Sequence, residues 1–372
     1  MLDRPIDALT DADVQALVPR AASEGRHLEF KRDLPSRTDD GTREFLADVT
    51  AFANAQGGDL VFGVEDHEGM ASRVPGVQLT DVDAEILRME NLLRDAVDPR
   101  LSGVRIRWIP ADEGADRGAL IVRIPASATA PHRVKSKGSS RFYARNSRGK
   151  YEMDTHELRQ AFTANEALPG RIRALHAEAV RAAGGIDMPF HLMAGPRAIT
   201  SVIPWGFFRE VRDLDVTPEN AVAPVRTTNS FGHYETLEGV LLHSYADEEN
   251  AVRAYTLLHR TGRFDAAWLV GSDHNGVKSV HPERFEKGLA DMVRSATLRL
   301  RSLGVEGPWV ILTTIDGIRD YAIHLSQWDG SRPAWRDGGT LPERILDDLA
   351  PDALLPVFKA FWLLFGERRP AN

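Results

Sequence analysis

Two glutamates five residues apart are the first chemistry the chain offers, in the run Glu24-Gly25-Arg26-His27-Leu28-Glu29-Phe30-Lys31. On a strand, alternate residues face one side, so Glu29 and Lys31 project together while Leu28 and Phe30 turn to a core. A carboxylate there could hold Mg²⁺ or Mn²⁺, and an ammonium beside it could offset phosphate charge or position an attacking water. Glu65 and Asp66 follow an apolar run and stand at its exposed end, where a further carboxylate can join the pair. Spacing by itself favours plainer readings, a surface ion pair for Glu29 and Lys31 and a turn residue for Asp66.

The sharpest charge feature is residues 131–150, which hold seven basic side chains and no acid: Arg133, Lys135, Lys137, Arg141, Arg145, Arg148 and Lys150. Around residues 141–145 the pattern predicts a strand with Arg141, Tyr143 and Arg145 on one face and Phe142 and Ala144 on the other. Guanidinium groups flanking an aromatic ring suit phosphate contact and base stacking. The competing reading is a solvated edge strand whose charge resists aggregation. Net charge is −8, so the run stands out against an acidic background rather than continuing a basic one.

Several elements must position these residues. Thr10 with Asp13 reads as the capped start of a helix over residues 10–20. Residues 28–31 read as a strand and 33–41 as a loop. Thr42 is the expected cap of a helix carrying Phe45, Leu46, Val49, Phe52 and Ala53 at helical spacing, stopped by Gly57-Gly58. Residues 60–64 form a buried strand, 66–69 a turn and 83–96 a second helix. Strands at 104–109 and 119–124 flank the acidic turn Asp112-Glu113-Gly114, and Thr155 starts a helix ending near Asn165. The mixture of adjacent strands and helices predicts an α+β fold rather than a βαβ array.

At 372 residues two domains are expected. The reading places one at 1–165, a helical linker at 166–186 and a second α+β domain at 187–372. Zero cysteines exclude a disulfide framework, a thiol nucleophile and a Cys-based zinc site. No window approaches the roughly 18 apolar residues of a membrane span, and no signal peptide is evident, so a soluble, cytoplasmic protein is expected. A Gly-x-x-x-x-Gly-Lys-Ser/Thr loop is missing, which leaves P-loop nucleotide binding unsupported. His-Glu-x-x-His and Gly-x-Ser-x-Gly are missing too.

Taken together, Glu24-x4-Glu29-Phe30-Lys31, Ala51-Phe52-Ala53-Asn54-Ala55-x-Gly57-Gly58 and Leu60-Val61-Phe62-Gly63-Val64-Glu65-Asp66 resemble the signature of Schlafen AlbA-like domains. Ile124-Pro125-x-Ser127, Pro131-His132, Arg141-Phe142-Tyr143-x-Arg145 and the Thr155 helix are also similar. The resemblance spans about 24–165, under half the chain. It implies nucleic-acid binding and, as in the family's ribonucleases, a Mg²⁺- or Mn²⁺-dependent site cutting structured RNA such as tRNA. Carried over, the metal-binding catalytic acids are Glu24, Glu29 and Asp66, with Lys31 assisting. RNA is the favoured partner, with single-stranded DNA the alternative. The family's animal nucleases embrace RNA with two such lobes, and one copy is evident here, so a homodimer would supply the second. Their zinc site is absent. A non-catalytic DNA- or RNA-binding regulator is the main rival, and a protein-interaction scaffold acting through residues 185–372 is the third reading.

In the second half, His233, His243, His259 and Asp273-His274 read as core histidines rather than ligands, and Trp205, Phe207, Phe208 and Trp362 as core. Residues 171–183 are expected to form a helix separated from the preceding one by Pro169-Gly170. Residues 342–365 read as largely helical. Nothing in this half names a role.

Overall fold

The computed structural model describes residues 2, 4–112, 114–127, 129–136, 139–208, 212–225, 231–323, 333–346, 350 and 352–370. The chain divides into two compact units, one built mainly from Met1–Leu168 and the other mainly from the remainder. Both combine helices with mainly antiparallel sheets, an α+β architecture.

In the first unit, helix α1 covers Asp11–Gln15, shorter than the residues 10–20 expected. The Asp13 carboxylate takes the N–H and hydroxyl of Thr10 at 2.9 and 2.8 Å, closing the capping box. Pro19 disfavours helical geometry at Val18 and limits the extension. Strand β1 (Leu28–Lys31) then alternates, with Leu28 and Phe30 buried and Glu29 and Lys31 half-buried.

Helix α2 (Asp39–Asn54) begins one turn earlier than the expected cap at Thr42. Thr38 is the cap, its hydroxyl accepting from Gly41 N at 3.2 Å. Asp39 and Asp40 fill the first turn, where negative charge meets the positive end of the helix dipole. From Phe45 to Asn54 every residue is buried. Burying a side chain such as Phe45 or Leu46 contributes about 1.5–3 kcal/mol.

The reason for this burial is the pair of sheets on either side. Strands β2 (Gly58–Phe62), β3 (Glu65–His67), β4 (Met70–Arg73) and β5 (Val77–Gln78) lead to helix α3 (Val82–Ala96). The unit continues with β6 (Val97–Asp98), β7 (Arg105–Ala111), β8 (Gly114–Ile124), β9 (Arg133–Ser136), β10 (Ser139–Asn146) and β11 (Gly149–Glu152). One sheet runs β1-β2-β8-β5 with β7 also on β8, and only β1 and β2 are parallel. The other is antiparallel, β11-β10-β9-β6. Phe45, Val49 and Phe52 of α2 share a core with Leu60, Leu120 and Val122 of the first sheet and Val134 of the second.

Two glycines matter for the site. Gly57 has φ +74°, and a Cβ there would lie 2.7 Å from Ala126 N and Ile124 O. It therefore ends α2 and lets β2 begin against β8. Gly63 has φ +96°, and a Cβ there would lie 3.0 Å from Gly76 Cα; glycine frees the chain to turn from β2 into the hairpin carrying Asp66.

Helix α4 runs unbroken over Thr155–Ala183 with Pro169 inside it. The expected break at Pro169-Gly170 does not occur. A proline removes one N–H and crowds the preceding turn, a penalty that neighbouring helical hydrogen bonds can absorb.

The second unit centres on an eight-stranded sheet whose members include Arg197–Pro204, Gly239–Ser244, Ala254–His259, Phe264–Leu269 and Trp309–Asp316. The helices Pro282–Ser302 and Leu355–Leu363 share its main core. Residues 342–365 are thus only partly helical, since Arg344–Leu346 is a strand on Trp309–Asp316. Of the four histidines expected in the core, His259 is buried beside Asp265 at 2.8 Å, and His243 is half-buried and stacked on Tyr234. His233 and His274 are exposed, which corrects their assignment. Trp362 is buried, while Trp205, Phe207 and Phe208 are partly exposed.

Candidate nucleic-acid interface and acidic centre

The loop before β1 carries Glu24. Its N–H donates to Gly69 O at 2.7 Å and its Oε1 accepts from Phe30 N at 2.8 Å, so both backbone and side chain are fixed. Asp66 lies on β3, not in the turn expected, and its Oδ2 accepts from Gly69 N at 3.1 Å. Gly69 therefore links the two segments, bonded to the Glu24 backbone through its carbonyl and to the Asp66 carboxylate through its N–H. Burial pushes the Glu24 carboxyl up from its ordinary range; the charges of Glu29 and Asp66 add to that, against the Phe30 hydrogen bond.

Glu29 sits differently. One oxygen accepts from Lys31 Nζ at 2.8 Å, and the other is held by the Arg145 guanidinium. Burial alone would raise this carboxyl, but the hydrogen bonds and charges of Lys31 and Arg145 outweigh it and hold the group below its usual value. Lys31 also faces Asp48 at 3.7 Å. Burial works against the Lys31 ammonium, yet Asp48, Glu29 and Glu44 lift its pKa.

A metal ion requires acids with open oxygens. Among the described residues Glu24 Oε2 and Asp66 Oδ1 meet that requirement, since it is Glu24 Oε1 and Asp66 Oδ2 that hydrogen-bond to Phe30 and Gly69. Glu29 does not, because both its oxygens are engaged by cations. Among the described residues, no group of three His, Asp or Glu side chains is placed to hold an ion. The trio Glu24, Glu29 and Asp66 does not fit a shared cation in this arrangement.

The basic strand is also differently disposed. Register pairs Tyr143 with Glu152, Arg145 with Lys150 and Arg141 with buried Val134, placing these on one face. At Tyr143 and Arg145 that face turns toward α2, while Arg141 and Glu152 at its end stay exposed. Tyr143 packs on the core containing Phe45 and Phe52. The Arg145 guanidinium lies 4.4 Å from the Phe52 ring centroid, and its side chain is only 1 % exposed. Lys150 reaches Asp48 at 2.8 Å and pairs with Glu44 as well. Of the face expected to meet nucleic acid, Tyr143 and Arg145 therefore point inward and only Arg141 stays exposed.

The opposite face, expected to pack, carries Arg133, Lys135 and Phe142 by register. Arg133 and Lys135 are partly exposed and share Asp98, at 2.8 and 3.9 Å. Phe142 meets Phe162 of α4 edge to face, with centroids 6.2 Å apart, and Phe162 is largely exposed. Arg141, at the rim, pairs with Glu152 at 2.6 Å, and both side chains remain about half exposed. Arg148 is exposed at the β10–β11 turn. Lys137 lies outside the described residues.

Sequence reasoning missed Asp48, Glu44 and Asn54. Asp48 interrupts the apolar run of α2, and a carboxylate among buried residues requires a cationic partner, a signal present in the sequence. Burial raises its pKa, against the pull of Lys150 and Lys31. Asn54 bridges two strands, donating to His132 O and Tyr143 O at 2.8 Å each and accepting from His132 N at 2.6 Å. His132 is itself fixed between Pro99 O and Ser127 Oγ, both at 2.7 Å. Asn54, Ser127 and His132, all part of the motif signature, thus join the helix to the second sheet. A cavity of about 650 Å³ in this unit lies against Asp11, Pro75, Asp112, Asp116 and Arg117, away from these residues.

Two sheets around a buried helix, with an acidic loop at one strand, define a compact α+β domain. Residues 24–154 match the family model described as Schlafen, AlbA_2, and this stretch is a Schlafen AlbA-like domain. The match says nothing of the second unit. Two solved structures are similar over part of the chain. The DIP2311 protein from Corynebacterium diphtheriae shares 17% identity, covering 40% of this chain and 27% of that one, with TM-score 0.27. The N-terminal domain of a RecG-related protein from Nitrosomonas europaea shares 20% identity, covering 37% of this chain and 88% of that one, with TM-score 0.28. The chain thus spans about a quarter of the first structure's length. No curated protein matches. Among the described residues no helix is long and apolar enough to cross a membrane.

Proposed function

We propose that residues 24–154 bind nucleic acid, RNA in preference to single-stranded DNA. The observation carrying this reading is the Schlafen AlbA-like match over the stretch that holds both the acidic centre and the basic run. Arg133, Lys135, Arg141 and Arg148 supply outward cations for phosphates, and Phe142 with exposed Phe162 supplies aromatic surface for unpaired bases. Arg145 and Lys150 are excluded from this footprint because their charges are consumed inside the fold.

A second reading, cleavage of the bound RNA by a Mg²⁺- or Mn²⁺-dependent endoribonuclease, is favoured by one observation. Glu24 and Asp66 each reach Gly69, one through its backbone N–H and the other through a carboxylate oxygen, so two acids stand near one another while Glu29 is already paired. A homodimer would bring a second copy of the same surface to one RNA.

The test is incubation of the full chain with tRNA, ribosomal RNA and single-stranded DNA, in Mn²⁺ or EDTA. Salt-sensitive binding in both conditions supports the first reading. RNA cleavage that EDTA and Glu24→Gln each abolish supports the second. Binding of neither nucleic acid overturns both.

A further inference from the structure

We infer that Arg145 is the positioning residue of the acidic centre, with Glu29 as its counter-ion, leaving Glu24 and Asp66 as the acids that face a ligand. This goes beyond nucleic-acid binding and holds whether or not RNA is cut. The sequence motif alone puts Arg145 among phosphate-binding residues and Glu29 among metal ligands, and the geometry reverses both assignments.

The guanidinium makes three contacts with the segment that carries the acids. Its Nε donates to Gly25 O at 2.6 Å, and its Nη2 to Leu28 O at 3.3 Å and to Glu29 Oε2. Those two carbonyls bracket the loop between Glu24 and β1. The loop is further closed by Gly25 N donating to Leu28 O at 2.9 Å. Below, the guanidinium plane rests on Phe52 of α2. Arg145 therefore joins β10, α2 and the Glu24 loop at one point. Arginine suits this role because its rigid planar fork fixes the directions in which it meets several acceptors, whereas a lysine's ammonium is a rotatable point charge.

Glu29 is fixed from the other side by Lys31, which also faces Asp48. A cation entering the centre would have to displace a buried arginine from Glu29, leaving that arginine uncompensated. Glu24 and Asp66 face no such barrier. Glu24 reaches Gly69 through its backbone N–H and Asp66 through its carboxylate, and among the described residues Glu24 Oε2 and Asp66 Oδ1 take no hydrogen bond.

The test uses the full chain with Arg145→Met, Glu29→Gln and the double variant. Thermal unfolding should show strong coupling, with Glu29→Gln lowering Tm less in the Arg145→Met background than in the wild type. Hydrogen exchange should rise selectively at Phe30, whose N–H is held by Glu24, while Leu60 in β2 stays protected. A global loss of stability would loosen both. Binding to a single-stranded oligoribonucleotide should keep the salt slope of the wild type. Additive Tm changes, unchanged Phe30 protection, or a slope lowered by about 0.7, the value for one phosphate neutralised on a single strand, would each overturn the inference. Should Arg145→Met not fold, the double variant Glu29→Gln with Arg145→Gln removes both charges together and gives the exchange and slope readings. If the wild type binds no oligonucleotide, the proposed function fails while the coupling and exchange readings still decide this inference.

Discussion

Asp59 and Arg123 face each other across the β2–β8 pair in an ion pair withdrawn from solvent, Nε to Oδ1 at 2.8 Å and Nη2 to Oδ2 at 3.0 Å. The pair also fastens the start of the chain. Leu2 N donates to Asp59 Oδ2 at 2.6 Å, and Arg123 donates to the carbonyls of Arg4 and Leu2 at 2.7 and 3.2 Å. Arg123→Met would leave Asp59 buried without its partner, which costs about 3–5 kcal/mol. Urea unfolding should show that loss, and a change under about 1 kcal/mol would mean that water compensates the carboxylate.

Asn54 supplies a second structural prediction. Asn54→Ala strips partners from His132 N, His132 O and Tyr143 O, each an amide group at or near the core. With about 1–3 kcal/mol for a group left bare, the substitution should cost ~3 kcal/mol by denaturant unfolding. Asn54→Asp should be at least as harmful, since it removes the donor and adds a buried charge.

The outward cations should carry the nucleic-acid affinity. Replacing Arg133, Lys135 and Arg141 with alanine should weaken oligonucleotide binding and reduce the salt slope by about 0.7 for each phosphate no longer neutralised. Fluorescence anisotropy at several salt concentrations measures both. Equal salt slopes for wild type and triple variant would remove this face from the interface.

Acid sensitivity in the second unit should trace to His176. Its ring lies between Ser201 Oγ and Thr314 Oγ1, both at 2.9 Å. Burial pulls its pKa from 6.5 to about 4, with Asp265 working against that and Arg263 adding to it. The unfolded chain therefore binds the extra proton first. The neutral-histidine contribution is fully present above pH 6.5 and is lost as pH falls toward 4, by up to about 3 kcal/mol. His176→Gln should flatten the stability profile between pH 4 and 6.5. Asp265, held at about 2 despite full burial by Arg263, His259 and Ser201, acts in a lower window.

Local signals in the sequence locate most elements but not their orientation. Helix α2 is visible from Phe45, Leu46, Val49 and Phe52, and its end from Gly57-Gly58. Its start is hidden because Gly41 reads as a loop residue, although Thr38 caps it and Asp39 and Asp40 support it. The alternation of β10 is visible too. Which face points inward is not, because that depends on Glu29, Glu44 and Asp48, which come from other elements about a hundred residues or more away. The motif presents the acids as a set of three. Only the fold separates Glu29, neutralised by Arg145, from Glu24 and Asp66.

The cations of the inner face each answer to a fixed acid: Arg145 to Glu29, and Lys150 to Glu44 and Asp48. Such pairings bind the fates of distant positions in evolution. Loss of charge at 145 in a relative should be accompanied by loss at 29, and loss at 150 by loss at 48, whereas Arg133, Lys135 and Arg148 can drift one at a time. An alignment of relatives that shows paired change at 29 and 145 would record this architecture as an inherited constraint.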